Sequence, residues 1–338
     1  MTDRNASPRG NDALDVIAIG NAIVDVLANA DDDFLTKQGL DKGGMTLIDA
    51  ERAESLYDAM GPGIECSGGS AANTAVGVAS LGGRVAFVGK VRDDHLGGIF
   101  RHDIRAAGVA FETPPTTDGL ATARCLVMVS PDAERTMGTF LGACQELGPD
   151  DIDADQIRAA RTIFLEGYLW DPPGGKAAFR RAAEIAQEAD TTVALTLSDA
   201  HCVERHREDF LDLIDGHVDV LFANEAEVKA LFEVDDFDEA MQRVRSICGI
   251  AALTRSEKGS VVVNGSEVHV VEAAKVDKVV DVTGAGDLYA AGFLYGLSRG
   301  LPLADCARVG GLAAAEVISH IGARPQKTLA ELLPAEHR

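Results

Sequence analysis

From about residue 150 to residue 254 the chain alternates short apolar runs with stretches of helical periodicity, and no other feature limits the fold as much. Residues 162–166, 192–197, 218–222 and 251–254 read as buried strands. Residues 175–189, 205–214, 225–232 and 236–248 read as the helices between them. Strands joined through helices of that length need right-handed crossovers, so they line up in a parallel sheet with helices on both faces. Residues 14–20 and 85–91 add strands, 96–107 adds a helix, and further helices are expected near 288–299, 303–321 and 328–333. Residues 260–263 and 268–271, joined through Asn264-Gly265, read as a hairpin with a type I′ turn. The predicted fold class is α/β: a three-layer α/β/α arrangement around a mostly parallel central sheet.

Two regions break the alternation. Residues 123–129 and 135–140 are β-like, with Pro131-Asp132 in the turn between them, and residues 43–48 are short and strand-like. Together they predict a small β lid, discontinuous in sequence, made of 28–49 and 109–141. The core then comprises 13–27, 50–108 and 142–338, after a loose polar tail at 1–12.

Charge narrows the partners. With 31 basic and 54 acidic residues the formal net charge is −23, which argues against nucleic-acid and anionic-membrane binding. An anionic co-substrate must then rely on local dipoles and a metal ion. The six cysteines are scattered without a Cys-x-x-Cys pair, and the first residues lack an apolar signal segment, so a reduced cytoplasmic protein is expected. No apolar run approaches the roughly 18 residues that a spanning helix needs.

Asp281-Val282-Thr283-Gly284-Ala285-Gly286-Asp287 leads into a helix-like run. Unpaired N–H groups and the positive dipole end of a helix start suit an anion, and small residues let it approach. Asp287 would stand at the rim of that cradle, placed to take a proton from an attacking hydroxyl. The same residues also fit an ordinary turn with an acid in a first helical turn. Gly68-Gly69, followed by Asn73, opens a second helix rich in small residues; close ligand approach and close helix packing both fit it. Asn21 and Asp25 follow a strand end, where open α/β sheets place ligand contacts, although an Asx turn and a solvated acid fit as well. Other motifs fail. Met45 stands where a phosphate-binding loop needs lysine, and Tyr289 where the dinucleotide fingerprint needs glycine. Gln156 replaces the glycine of a calcium loop at Asp151-x-Asp153-x-Asp155.

The heptapeptide resembles the C-terminal signature of the PfkB/ribokinase family of sugar and nucleoside kinases, with Val282 in place of threonine. Gly68-Gly69-x-x-x-Asn73 resembles the family's N-terminal signature, and Asn224-Glu225-Ala226-Glu227 its Asn-x-x-Glu motif, in the family's order. The resemblance implies a ribokinase-like fold, with ATP and Mg²⁺ and, in many members, K⁺. It implies Asp287 as catalytic base and Gly284, Ala285 and Gly286 as the anion hole. It implies Asn21, Asp25, Gly68, Gly69 and Asn73 at the substrate. Arg135 would reach the transferring phosphate on lid closure, although a solvated lid arginine fits as well. Asn224, Glu227, Thr254 and Gly259 would lie at the nucleotide, Glu227 meeting Mg²⁺ through water. Asp281 and the Thr283 carbonyl would join a monovalent-cation site. Gly20-Asn21-Ala22-Ile23-Val24-Asp25, Ser70 after the double glycine, 134–144 and 166–170 are similar to the adenosine kinase branch. The expected reaction is phosphorylation of a nucleoside's primary hydroxyl, adenosine to AMP foremost, by a monomer or homodimer. A ribo-, fructo- or 2-keto-3-deoxyglucono-kinase is the alternative, and a non-catalytic ligand-binding protein on the same scaffold is a third.

Overall fold

The computed structural model describes residues 13–132 and 134–337. The tail expected at 1–12 lies outside the described residues. In chain order the strands are β1 (Leu14–Ile19), β2 (Ile23–Asn29), β3 (Met45–Leu47), β4 (Ile64–Gly68), β5 (Val85–Val88), β6 (Ala123–Val129) and β7 (Arg135–Phe140). They continue as β8 (Ala160–Glu166), β9 (Thr192–Thr196), β10 (Val220–Asn224), β11 (Ile250–Thr254), β12 (Ser260–Asn264) and β13 (Glu267–Val271).

The large sheet runs β13-β12-β11-β10-β9-β8-β1-β5. Its strands from β5 to β11 are parallel, and β12 and β13 close one edge as an antiparallel hairpin. Side chains alternate across each strand, so β1 feeds two cores. Ile17 and Ile19 pack with Phe179, Ala182 and Val193 on one face. Val16 and Ala18 pack with Ala72, Ala75, Leu288 and Ala291 on the other. Burial on both faces is why these strands read as unbroken apolar runs. The hairpin differs from the sequence reading. Asn264 pairs with Glu267, so Gly265 and Ser266 form the turn, and of the two only Gly265 has a positive φ (55°), as a type II′ turn requires.

The small sheet runs β3-β7-β6-β2-β4. It takes in β2 and β4, which the sequence partition assigned to the core. The reason is pairing at long range: β2 lies parallel to β6 and antiparallel to β4, and the break at Gly20-Asn21-Ala22 lets the chain pass from one sheet to the other. Helices Asp32–Gln38 and Ala50–Ala59 bring Leu35 and Leu56 against Val26, Leu126 and Met128 on one face of this sheet. Residues 109–111 belong instead with the large layer. Ala110 bridges to Ala86, and the Phe111 ring sits 5.7 Å from that of Phe87.

The carboxyl ends of β1 and β8 to β11 point to one edge. Helices Ser70–Ser80 and Ala285–Ser298 meet there. A Cβ at Gly77 would lie 2.6 Å from the Ala291 Cβ and 2.7 Å from Leu288 Cδ1, so this glycine is what lets the two helices approach. Among the described residues no helix is long and apolar enough to cross a membrane.

Candidate active site

Glu166 ends β8 as an acid at the close of an apolar strand, and it is buried. Its Oε1 accepts from Asn21 Nδ2 at 2.7 Å, and its Oε2 from the Ala71 N–H at 2.8 Å. One carboxylate therefore ties the exit of β1 to the start of helix Ser70–Ser80. Burial pushes its pKa up to about 7, against the hydrogen bonds from Ala71 and Asn21. A Cβ at Gly20 would sit 2.3 Å from Glu166 Oε2. Sequence reasoning did not select Glu166 as a site residue; the signal was a charged residue ending a strand that both cores surround.

Gly69 caps the same helix with φ 93°, and a Cβ there would lie 2.2 Å from the Asn21 carbonyl oxygen. A Cβ at Gly68 would lie 2.4 Å from Asp25 Oδ2. Asp25 stands on β2, not in a loop past β1. Burial raises its pKa to about 6, Arg324 and Arg135 pull it down, and Asp287 pushes it up.

Asp287 lies in the first turn of helix Ala285–Ser298. Ser70 Oγ donates to its Oδ1 at 2.6 Å and Asn73 Nδ2 to its Oδ2 at 3.0 Å. Thr74 Oγ1 donates to its backbone carbonyl at 3.1 Å. Burial raises its pKa, and the two side-chain donors oppose the rise. Gly284 caps this helix in the left-handed region (φ 78°, ψ 0°), with a Cβ only 2.7 Å from the Ala323 oxygen. No other residue fits that turn without strain.

The loop before the helix is pinned by Asp281. Its Oδ1 accepts from the Thr283 N–H at 3.0 Å and the Thr283 hydroxyl at 2.7 Å, and its Oδ2 from the Gly322 N–H at 2.8 Å. Arg135 reaches across from the small sheet to form an ion pair with it. Burial works against the charge, but the Gly322 and Thr283 donors and Arg135 hold the Asp281 carboxyl below its ordinary value.

On the other side, Asn224 and Glu227 form a capping box at the start of helix Glu225–Phe232. Asn224 N–H donates to Glu227 Oε2 at 2.9 Å, Asn224 Nδ2 to Oε1 at 2.6 Å, and Glu227 N–H to Asn224 Oδ1 at 2.9 Å. Burial lifts the Glu227 pKa to about 7, opposed by the Asn224 N–H. Thr254 is the register partner of Asn224 on the neighbouring strand. Gly259 shapes the turn that returns into β12; a Cβ there would meet the Val271 oxygen at 2.1 Å.

The residues expected at the acceptor, Asn21, Asp25, Gly68, Gly69 and Asn73, thus gather around Asp287. Asn224 and Glu227 gather at the end of β10, three strands over from β1, with Thr254 on the next strand, and Gly259 serves the adjoining turn. Arg324 and Thr74 were not anticipated, and Ser70 only as a mark of the adenosine kinase branch. Arg324 Nε donates to Asn73 Oδ1 at 3.3 Å, and Nη1 donates to Ser67 Oγ.

Among the described residues no three His, Cys, Asp or Glu side chains converge to hold a metal directly. The donor set does fit a hydrated Mg²⁺. Such an ion keeps most of its waters, and each Glu227 oxygen, with one donor from Asn224, retains a lone pair for water. Asp281 and Thr283, as arranged, do not offer K⁺ an oxygen cage, because the Asp281 carboxylate already has Arg135 and three donors.

A parallel sheet with a glycine-rich helix start and an acid at its carboxyl edge defines a phosphotransferase of the ribokinase-like class. Residues 47–329 match the pfkB family carbohydrate kinase profile, and the chain belongs to that family of kinases. It is 53% identical to the crystallised adenosine kinase from Sinorhizobium meliloti, with a TM-score of 0.90 over 95% of this chain and 98% of that one. It is 50% identical to a crystallised probable sugar kinase from Rhizobium etli, with a TM-score of 0.90 over 95% of this chain and 97% of that one. Against the adenosine kinase of Saccharomyces cerevisiae it is 27% identical over 330 residues, covering 91% of this chain and 95% of that protein.

Proposed function

We propose that this kinase transfers the γ-phosphoryl group of ATP to the primary hydroxyl of a nucleoside, adenosine foremost. One juxtaposition carries the reading. Asp25 shares a face of the small sheet with Leu27 on β2, Val129 on β6 and Met137 on β7, apolar side chains that are only partly buried, opposite the face that the helices cover. An acid for sugar hydroxyls beside an apolar wall suits a ribose that bears a flat apolar base. A free sugar, with hydroxyls all round, would leave that wall bare.

Asp25, the Gly69 backbone and Asn73 hold the ribose, with Asn21 supporting from behind. Asp287 accepts the proton of the attacking hydroxyl, whose oxygen forms the new bond to phosphorus as the bond to the ADP oxygen breaks. The N–H groups at Gly284 and Gly286 stabilise the charge spread over the transferring group, while the Ala285 N–H expected beside them donates to the Val282 carbonyl at 3.2 Å and shapes the turn. Arg135, bridging the small sheet to Asp281, closes that end of the cleft and lies near the same charge. Glu227 would hold a hydrated Mg²⁺ through water, and the ion would supply further charge neutralisation at the ATP phosphates.

A sugar kinase is the second reading, favoured by the 50% identity to the Rhizobium etli chain described as a probable sugar kinase. ADP release measured over adenosine, other nucleosides, ribose, fructose and 2-keto-3-deoxygluconate separates the two. We expect kcat/KM to be highest for adenosine. A clear preference for a free sugar overturns the nucleoside reading and leaves the kinase assignment intact.

A further inference from the structure

Three consecutive residues near the C-terminus touch three separate parts of the site. Gly322 N–H holds Asp281, Ala323 packs on the Cβ-less face of Gly284, and Arg324 reaches Asn73. The segment is itself anchored. The Ile318 carbonyl accepts from Val280 N–H at 2.8 Å, and Glu316 Oε1 accepts from the N–H groups of Gln326 and Lys327 at 3.1 Å.

The chemistry of Asn73 makes Arg324 decisive. A side-chain amide presents an oxygen at one end and a donor at the other, and it can sit either way round. A guanidinium has only donors, so facing it with the amide oxygen is the one satisfied arrangement. That turns Asn73 Nδ2–H onto Asp287 Oδ2, where it is observed. Arg324 also grips Ser67 Oγ, which in turn donates to Asp103 at 3.3 Å, so the guanidinium is braced from behind. Its Nη2 is buried with no hydrogen-bond partner among the described residues.

We propose that Arg324 is a positioning residue for phosphoryl transfer: it fixes the orientation of the Asn73 amide and, through that amide, the placement of the Asp287 carboxylate. The proposal rests on Asp287 as the base. Without Arg324 the amide loses its second anchor: only the Asp287 carboxylate then selects the Nδ2 end, and the donor on Asp287 is less firmly held. Weakening of that donor favours the protonated acid, so the acid limb of kcat moves to higher pH. The other titratable groups that influence or face Asp287 are Asp25 on β2, Glu166 on β8, Tyr168 just beyond it and Glu227 on helix Glu225–Phe232. Arg324 bears on none of Glu166, Tyr168 and Glu227, whereas Asp25 loses the pull of Arg324 and its pKa rises with the substitution, a change read in KM for the acceptor rather than in the acid limb of kcat.

The test is a double-mutant cycle on the full chain: Arg324→Gln, Asn73→Ala and the pair, with kcat against pH, KM for ATP and thermal melting. Arg324→Gln should lower kcat on the order of 10- to 100-fold, as expected for displaced catalytic groups, leave KM for ATP unchanged and raise the acid limb. Arg324→Lys, still a pure donor, should recover part of the loss and most of the pH profile. In the Asn73→Ala background the Arg324→Gln change should add nothing, because its route of action is gone. Full additivity, or a folded Arg324→Gln enzyme with wild-type kcat and pH profile, overturns the proposal. Should Arg324→Gln fail to fold, the same cycle with Arg324→Lys decides by the same criterion. Asp287→Asn in the same assay separates the two levels. Wild-type kcat there defeats the base assignment, whereas additivity with Asp287 essential defeats only the role of Arg324.

Discussion

The side of the cleft proposed for the acceptor and the side proposed for the nucleotide are built in different ways. Asn21 and Glu166 are 145 residues apart in sequence, Asn73 and Asp287 are 214 apart, and Asn73 and Arg324 are 251 apart. These bonds cross-link both sheets, two helices and the C-terminal segment around one carboxylate. Asn224 and Glu227, by contrast, are 3 residues apart and satisfy each other. The approach to Asp281 carries Val279 at 55% and Val282 at 69% exposure. The acceptor side is therefore held in shape by tertiary packing before any ligand arrives. The nucleotide side, as Asn224 and Glu227 build it, is a local motif, which leaves more for the ligand to complete.

Substitutions can break or sharpen this contrast. The largest effect should come from Asp287→Asn, which removes the proposed proton acceptor. Steady-state rates should fall about 10²- to 10⁴-fold in kcat, with modest changes in either KM. Survival of wild-type turnover would undo the assignment. Next is Asp25→Asn, which replaces a charged acceptor with a neutral amide. KM for the nucleoside should rise on the order of 10- to 100-fold while KM for ATP holds. In the wild type the Asp25 pKa is raised to about 6, so its charged form is lost as pH falls through that value. KM for the nucleoside should climb below about pH 6, and that slope should vanish in Asp25→Asn.

Glu227→Gln tests the other side. Gln still closes a capping box, so the helix start survives. KM for the Mg²⁺–ATP complex should rise severalfold with the acceptor KM unchanged. The pKa of Glu227 is raised from an ordinary 4.5 to about 7, so the folded state resists its ionisation and the wild type loses stability as pH rises across that interval. The melting-temperature difference, variant minus wild type, should therefore increase from pH 4.5 to about pH 7. A flat difference would remove the burial cost from the account. The smallest effect is expected for Val282→Ser. At 69% exposure, its change should alter stability by less than about 0.5 kcal/mol and leave the acceptor KM alone. A shift in acceptor KM would mean that the two sides are not separate.

Much of this was legible in order along the chain. The apolar runs behind β8 to β11 are unbroken because helices bury both faces, so their composition reveals them. The capping box at Asn224–Glu227 and the glycines at 68–69 and 284 are local devices with local signatures. β2 and β4 were not legible as members of the small sheet, because their partners lie far away in sequence and their own residues suit either layer. Glu166 and Arg324 were missed for a related reason. Each is a single charged residue whose meaning lies wholly in what it touches.

The sequence by itself therefore determined the class of fold, the helix starts and the acid at Asp287, since propensity, periodicity and capping act over a few residues. Only the tertiary structure decided which polar groups face that acid. Burial makes every donor and acceptor answer to its neighbours, and here those neighbours come from the opposite end of the chain.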